Sequence, residues 1–257
     1  KKLFFLRNQM GVNSLWQIEL ESGAEQPIPL VGYTALHQPA ISPDGERLAL
    51  IASSGNIPTR VITCDLHGTA NIWRRAMAEE LPGTAYALPQ HITWPGMDGG
   101  PAHGLFYPPH NEAFEVTGLP PLVVMVHGGP TSQRVAAFNG GVQFFTSRGY
   151  AVLDVNYRGS TGYGREYRNK LRGNWGVYDV QDSISGARAL VDKKLADGAK
   201  LVIMGGSAGG FTVLKALEDY PGFFRAGICL YGVSNQFTLA AETHKFEARY
   251  SDTLLGP

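Results

Sequence analysis

The chain has 257 residues, enough for one large domain or two smaller ones, and its 44% hydrophobic share can fill a sizeable core. Twenty-two Lys+Arg balance 22 Asp+Glu, so no basic face points to nucleic acid or an anionic membrane. No apolar run approaches the ~18 residues of a membrane span. Lys1-Lys2-Leu3-Phe4-Phe5-Leu6 is too short and too soon polar for a signal peptide. Cys64 and Cys229 stand far apart and read as buried free thiols, mildly favouring a reducing, cytoplasmic compartment.

The first ~90 residues carry no convincing helical period and read as short strands broken by turns. Leu3–Leu6 and Leu15–Leu20 are followed, about 45 residues on, by Leu48–Ile51 and Val61–Leu66. Ser42-Pro43-Asp44-Gly45 supplies turn chemistry ahead of the second set. A strand repeat of this length fits propeller blades, or a plain β-meander. Two blades cannot close a propeller of four to eight, which predicts further chain on the N-terminal side.

From about residue 89 strands alternate with helices, predicting a mostly parallel sheet covered on both faces. The domains are therefore expected at 1–88 and 89–257. Predicted strands are Leu122–Val126, Tyr150–Asn156, Leu201–Met204 and Ala226–Leu230. Predicted helices are Val135–Ser147, Tyr178–Lys193, Gly209–Asp219 and part of Gln236–Thr243. In Tyr178–Lys193, Val180, Ile184, Ala187, Leu190 and Val191 fall on one stripe, and Asp179 suits the first turn.

Chemistry concentrates at Gly205-Gly206-Ser207-Ala208-Gly209. This is G-x-S-x-G between an apolar strand and a helix, the pattern of a nucleophile elbow. The other reading is a glycine-rich or phosphate-binding turn, but no Gly-Lys-Ser/Thr and no GxGxxG is present. His127-Gly128-Gly129-Pro130 ends an earlier strand, where a second backbone N–H for an oxyanion would come from; alone it could be a plain turn. The first oxyanion N–H would be that of Ala208. His127 reads as a residue that shapes this loop rather than one that carries protons.

Three motifs in order behind a strand repeat make the chain resemble the prolyl oligopeptidase family of serine peptidases. They are His127-Gly128-Gly129-Pro130, the long run Asn156-Tyr157-Arg158-Gly159-Ser160-Thr161-Gly162-Tyr163-Gly164, and Gly205–Gly210 around Ser207. The middle motif is the most specific, since esterases share the other two. Trp175-Gly176 with Asp179 also fits. Within the family the chain is most similar to acylaminoacyl-peptidases and dipeptidyl-peptidases.

The resemblance implies an α/β fold: a partial α/β-hydrolase preceded by the last blades of a β-propeller. It also implies a peptidase for short peptides, with Ser207 as nucleophile and Gly129 and Ala208 as oxyanion donors. Tyr163 and Arg158 would lie near the substrate, or else belong to a packed loop. It calls for no cofactor and leaves a homo-oligomer open; no His/Cys cluster has metal-ligand spacing.

The fold's triad order is Ser, then acid, then His. After Ser207 the only histidine is His244, read as structural. Glu218 and Asp219 lie down the helix leaving the elbow, Asp219 about 18 Å along it. Glu242 is two residues before His244, and Asp252 follows it. The triad acid and base are therefore expected beyond residue 257. The 257-residue chain alone is expected to be inactive and marginally stable, with an open sheet edge. Two rivals remain: a carboxylesterase, and a non-catalytic protein whose β-rich part is the working surface.

Overall fold

The computed structural model describes all residues except 78–81, 116, 244, 246–248 and 256–257, and the backbone alone at 240 and 242. It divides into two compact units. One comprises Lys1–Leu88 with Val135–Gln143, the other Pro89–Arg134 with Phe144–Pro257.

The first unit holds two antiparallel sheets. In one, β1 (Lys2–Gln9), β2 (Val12–Glu19) and β3 (Glu25–Ile28) pair in order. In the other, β4 (Ala35–Ile41), β5 (Arg47–Ser54), β6 (Ile57–Asp65) and β7 (Ala70–Arg75) form a meander. The Pro43-Asp44-Gly45 turn joins β4 to β5. Asp44 accepts the Glu46 N–H at 3.0 Å and Ser42 Oγ accepts that of Arg47 at 3.0 Å. Inward residues of both sheets, among them Leu15, Ile28, Leu36, Leu48 and Ile62, form one core.

Val135–Phe138 was expected to open a helix. Instead it is irregular, with a bend at Ala136, and belongs to this first unit: Ala136 N–H donates to Gly11 O at 2.8 Å, and Phe138 meets Tyr86 edge-on at 5.0 Å. Helix α1 runs only Gly140–Thr146. Its apolar residues gave a helical reading that tertiary pairing overrode.

The second unit is a six-stranded mixed sheet. Its strands are β8 (Gln90–Pro95), β9 (Pro101–Tyr107), β10 (Leu122–Val126), β11 (Ala151–Asn156), β12 (Leu201–Gly206) and β13 (Ala226–Leu230). The spatial order is β13-β12-β10-β11-β9-β8, with β13, β12, β10 and β11 parallel and β9 and β8 antiparallel. Every residue of β10 and β11 is buried, as central parallel strands require. Every residue of β13, at the edge, is exposed.

Two helices fix the sheet's working end: α3 (Tyr178–Asp192) and α4 (Ala208–Asp219). The stripe of α3 buries Val180, Ile184, Ala187 and Leu190 against the sheet. Gly186 sits within this continuous helix where Trp94 lies against it; a Cβ there would stand 2.7 Å from the indole. The Trp94 N–H donates to Asp182 O at 3.2 Å and Ser185 Oγ at 3.1 Å, satisfying its one polar atom. Three short helices complete the unit: α2 (Arg165–Asn169), α5 (Gln236–Glu242) and α6 (Tyr250–Leu255). Cys64 is buried, but Cys229 is exposed, because its strand is the sheet edge.

Candidate active site

Strand β12 ends at Gly206 and α4 begins at Ala208, leaving Ser207 alone on the turn. Its backbone stands at φ 54°, ψ −123°, a region that non-glycine residues rarely occupy and that costs ~1–3 kcal/mol. Neighbouring backbone holds it there. Ser207 N–H donates to Leu230 O at 3.1 Å, and Ser207 O accepts Phe211 N–H at 3.1 Å and Val233 N–H at 3.4 Å. A Cβ at Gly209 would collide with Val126 O and stand 2.9 Å from His127 O. The lack of a side chain there lets α4 leave the turn directly against the end of β10. Ala208, the first helical residue, presents an N–H with no intrahelical acceptor, at the positive end of the helix dipole.

The loop after β10 comes to the same place. A Cβ at Gly128 would be 3.3 Å from Ser207 Cβ. Gly129, Pro130, Ser207 and Ala208 line one small cavity of about 80 Å³, together with Trp175 and, from the segment after β13, residues that include Leu239 and Tyr250. Neither the Gly129 nor the Ala208 N–H donates to a protein group among the described residues. The sequence-derived trio Ser207, Gly129 and Ala208 is thus brought together.

The long middle motif fastens this loop. Asn156 Oδ1 accepts Arg134 N–H at 2.6 Å and its Nδ2 donates to Arg134 O at 3.0 Å. Tyr157 O–H donates to Pro130 O at 2.7 Å, and Thr161 N–H to Ser132 O at 2.8 Å. His127 Nε2 lies 2.8 Å from Ser160 Oγ, and its Nδ1 2.8 Å from Gly128 O. From the other side, Tyr250 O–H donates to Thr131 Oγ1 at 2.6 Å and its oxygen accepts Thr131 N–H at 2.9 Å. Burial pushes His127 down to about 4, so the ring is neutral at pH 7.

The structure pairs Arg158 with two carboxylates of the chain itself. Its side chain is fully buried. Nη2 and Nε reach Asp182 at 2.7 and 3.0 Å, and Nη1 reaches Asp98 at 2.5 Å. The guanidinium also stacks on Tyr178, 4.1 Å from the ring centre. It bolts the β8–β9 turn to α3. Tyr163 is likewise engaged elsewhere: its ring stacks on His103 at 4.6 Å, its oxygen accepts from Asn156 Nδ2 at 2.9 Å, and it is absent from the cavity lining. Burial takes its phenol up to about 12.

Sequence reasoning missed Tyr250, whose helix is short and amphipathic on too few residues to register. It placed Asp179 as a favourable first-turn charge and as part of the family resemblance with Trp175-Gly176, without a partner for it. The carboxylate is in fact fully buried: Oδ1 accepts Gly176 N–H at 2.7 Å and Oδ2 accepts Thr212 Oγ1–H at 2.5 Å. It ties the Trp175 loop to α4, one turn below the elbow. Burial raises it to about 6.

Among the described residues lining the Ser207 cavity there is neither a histidine nor a carboxylate. Asp219 and Glu218 are paired with Lys215 on the outer face of α4, at 2.6 and 3.4 Å. His244 lies outside the described residues.

A serine on a strand–turn–helix elbow, beside a glycine loop at the ends of parallel strands, is the arrangement of the α/β serine hydrolases. Residues 136–256 match the model of the Prolyl oligopeptidase family. That match covers a little under half of the chain, which over this stretch is similar to that family of serine peptidases. Among curated relatives, it is 37% identical over 134 residues to dipeptidyl aminopeptidase BIII of Pseudoxanthomonas mexicana, covering 52% of this chain and 19% of the relative. It is 37% identical over 123 residues to the acylamino-acid-releasing enzyme of Homo sapiens, covering 48% and 17%. The structure of a puromycin-hydrolyzing peptidase from Mycobacterium tuberculosis superposes with a TM-score of 0.93 at 37% identity, over 100% of this chain and 40% of that one. The alignments thus span about a fifth of the length of these curated relatives.

Proposed function

We propose that the protein containing this chain is a serine-type peptidase acting on short peptides through an acyl-enzyme on Ser207, with the Gly129 and Ala208 N–H groups receiving the oxyanion. The observation that carries this reading is the strained backbone of Ser207, held at φ 54° within one cavity with both donors. Such strain persists only where its surroundings enforce it, and it lifts the hydroxyl clear of the sheet.

An unaided serine is a weak nucleophile and needs an adjacent base. The base and its acid partner would come from outside the described residues, since none lines the cavity. The 257-residue chain by itself would then turn over poorly, because loss of triad members can cost on the order of a million-fold.

The antiparallel meander β4–β7 fits a propeller blade that would restrict access to the site. The likeness to a puromycin-hydrolyzing peptidase makes small aminoacyl amides the substrate class to try first. Among the described residues no helix is long and apolar enough to cross a membrane, and a cytoplasmic enzyme is the reading we favour. The test is turnover of aminoacyl anilides, against short acyl esters, by the full-length gene product and its Ser207→Ala variant. Anilide hydrolysis abolished by the substitution supports the peptidase; ester hydrolysis alone favours a carboxylesterase.

A further inference from the structure

We propose that the basic segment leaving α2 forms an oxyanion subsite beside the Ser207 cavity, in which Arg168 and Arg172 hold the carboxylate of a short peptide or a phosphate group. The peptide as occupant rests on the peptidase reading above; the chemistry of the subsite does not.

The sequence concentrates charge here. The chain as a whole balances 22 Lys+Arg with 22 Asp+Glu. Over residues 165–172 four side chains are basic, Arg165, Arg168, Lys170 and Arg172, and Glu166 alone is acidic. Helix α2 ends at Asn169 and tight turns follow: Lys170 N–H donates to Tyr167 O at 3.3 Å, and Arg172 N–H to Asn169 O at 3.1 Å. Leu171 anchors these turns in the core. Arg168 and Arg172, on either side of it, line one pocket of about 240 Å³.

The rest of the polar lining is Thr131, Asn169, Tyr250 and Thr253. Among the described residues no carboxylate lines this pocket, and neither guanidinium nor the Asn169 amide has a hydrogen-bond or ion-pair partner. Two like charges at one concavity repel, and no group of the lining offsets them. An oxyanion does, because the guanidinium is a planar fork of N–H donors that fits a carboxylate or phosphate. Thr131 adds a donor: its Oγ1 accepts the Tyr250 proton at 2.6 Å, so its own hydroxyl hydrogen is free to give. At ~30 Å³ per water in the liquid, the volume admits the anionic group and the atoms that carry it.

The pocket adjoins the reacting centre. Tyr250 and Leu254 line both it and the Ser207 cavity, and Thr131 directly follows Pro130 of that cavity. A peptide short enough to keep its own carboxylate near the scissile bond would reach both.

The experiment uses the full-length gene product, the Arg168→Gln/Arg172→Gln double variant, and Arg165→Gln as a control that removes a neighbouring charge outside the lining. A short peptide with a free C-terminal carboxylate is compared with the same peptide amidated, and inorganic phosphate is titrated by calorimetry. Wild type should favour the free acid in kcat/KM by roughly 10-fold, the scale of hydrogen bonds to a charged group. The double variant should lose that preference and Arg165→Gln should keep it. The double variant should also bind inorganic phosphate roughly 10-fold more weakly than wild type, with Arg165→Gln unchanged. Loss of the acid preference assigns the pocket to the peptide's own carboxylate; a response to phosphate alone assigns it to a phosphate ligand.

A wild type with neither acid preference nor phosphate binding overturns the proposal whatever the variants do. Equal losses in Arg165→Gln and the double variant overturn it too. A wild type inert towards both peptides and unlabelled by a fluorophosphonate would instead sink the peptidase reading, and the phosphate titration would still decide the subsite.

Discussion

Asp179 carries a free-energy cost that pH should reveal. Its buried carboxyl sits at about 6, against 3.8 for the unperturbed group, so the fold disfavours its charged form. For an acid raised in this way, stability is greatest below pH 3.8 and is lost as pH climbs towards 6. The loss is on the order of 2–3 kcal/mol. Asp179→Asn removes the titration while leaving an oxygen to accept from Gly176 or Thr212. The wild type should therefore lose stability relative to Asp179→Asn between pH 4 and pH 6.5, read by urea unfolding of the two proteins. A constant difference across that range would contradict the assignment. Other residues of the site were less legible. Ser207 announces itself through its neighbours in sequence. The ion pair of Arg158 was not legible, because Asp182, 24 residues on, becomes its partner only when α3 packs on the sheet. No spacing rule could show that the middle motif fastens the loop after β10.

At the scale of elements, the Arg158 bolt is the most vulnerable joint. The guanidinium is fully buried, with Asp182 fully buried beside it and Asp98 half-exposed. Removing one partner of a buried pair strands the other charge, typically at about 3–5 kcal/mol. Asp182→Ala should lower stability by that order, whereas Asp98→Ala, at the wetter end, should cost less. Thermal unfolding of the two variants checks the ranking, and equal losses would show that burial of the pair is not what matters. The same elements show where sequence patterns suffice. β10 and β13 were legible to the residue, because apolar runs bounded by turns leave little choice. β3 and β7 were not. The first is four residues with a proline, and the second is exposed throughout and shows no alternation. The residues before α1 gave a helical reading that pairing with Gly11 overrode.

At the scale of the whole molecule, the sheet of the second unit has a bare flank. β13 is the edge strand, every residue of it is exposed, and Ile228, Leu230 and Tyr231 present apolar surface there. Unpaired edge N–H and C=O groups beside exposed apolar side chains template association. The 257-residue chain should self-associate, and Ile228→Lys should shift it towards monomer in sedimentation velocity; a wild-type chain that is monomeric at tens of micromolar would contradict this. The central claim is that Ser207 is a live nucleophile. Its most direct test is labelling of the full-length gene product with a fluorophosphonate, with the modified residue located by mass spectrometry. The account predicts a single adduct on Ser207, absent from Ser207→Ala. An unlabelled Ser207 in a folded full-length protein would contradict it and leave the elbow an inert scaffold.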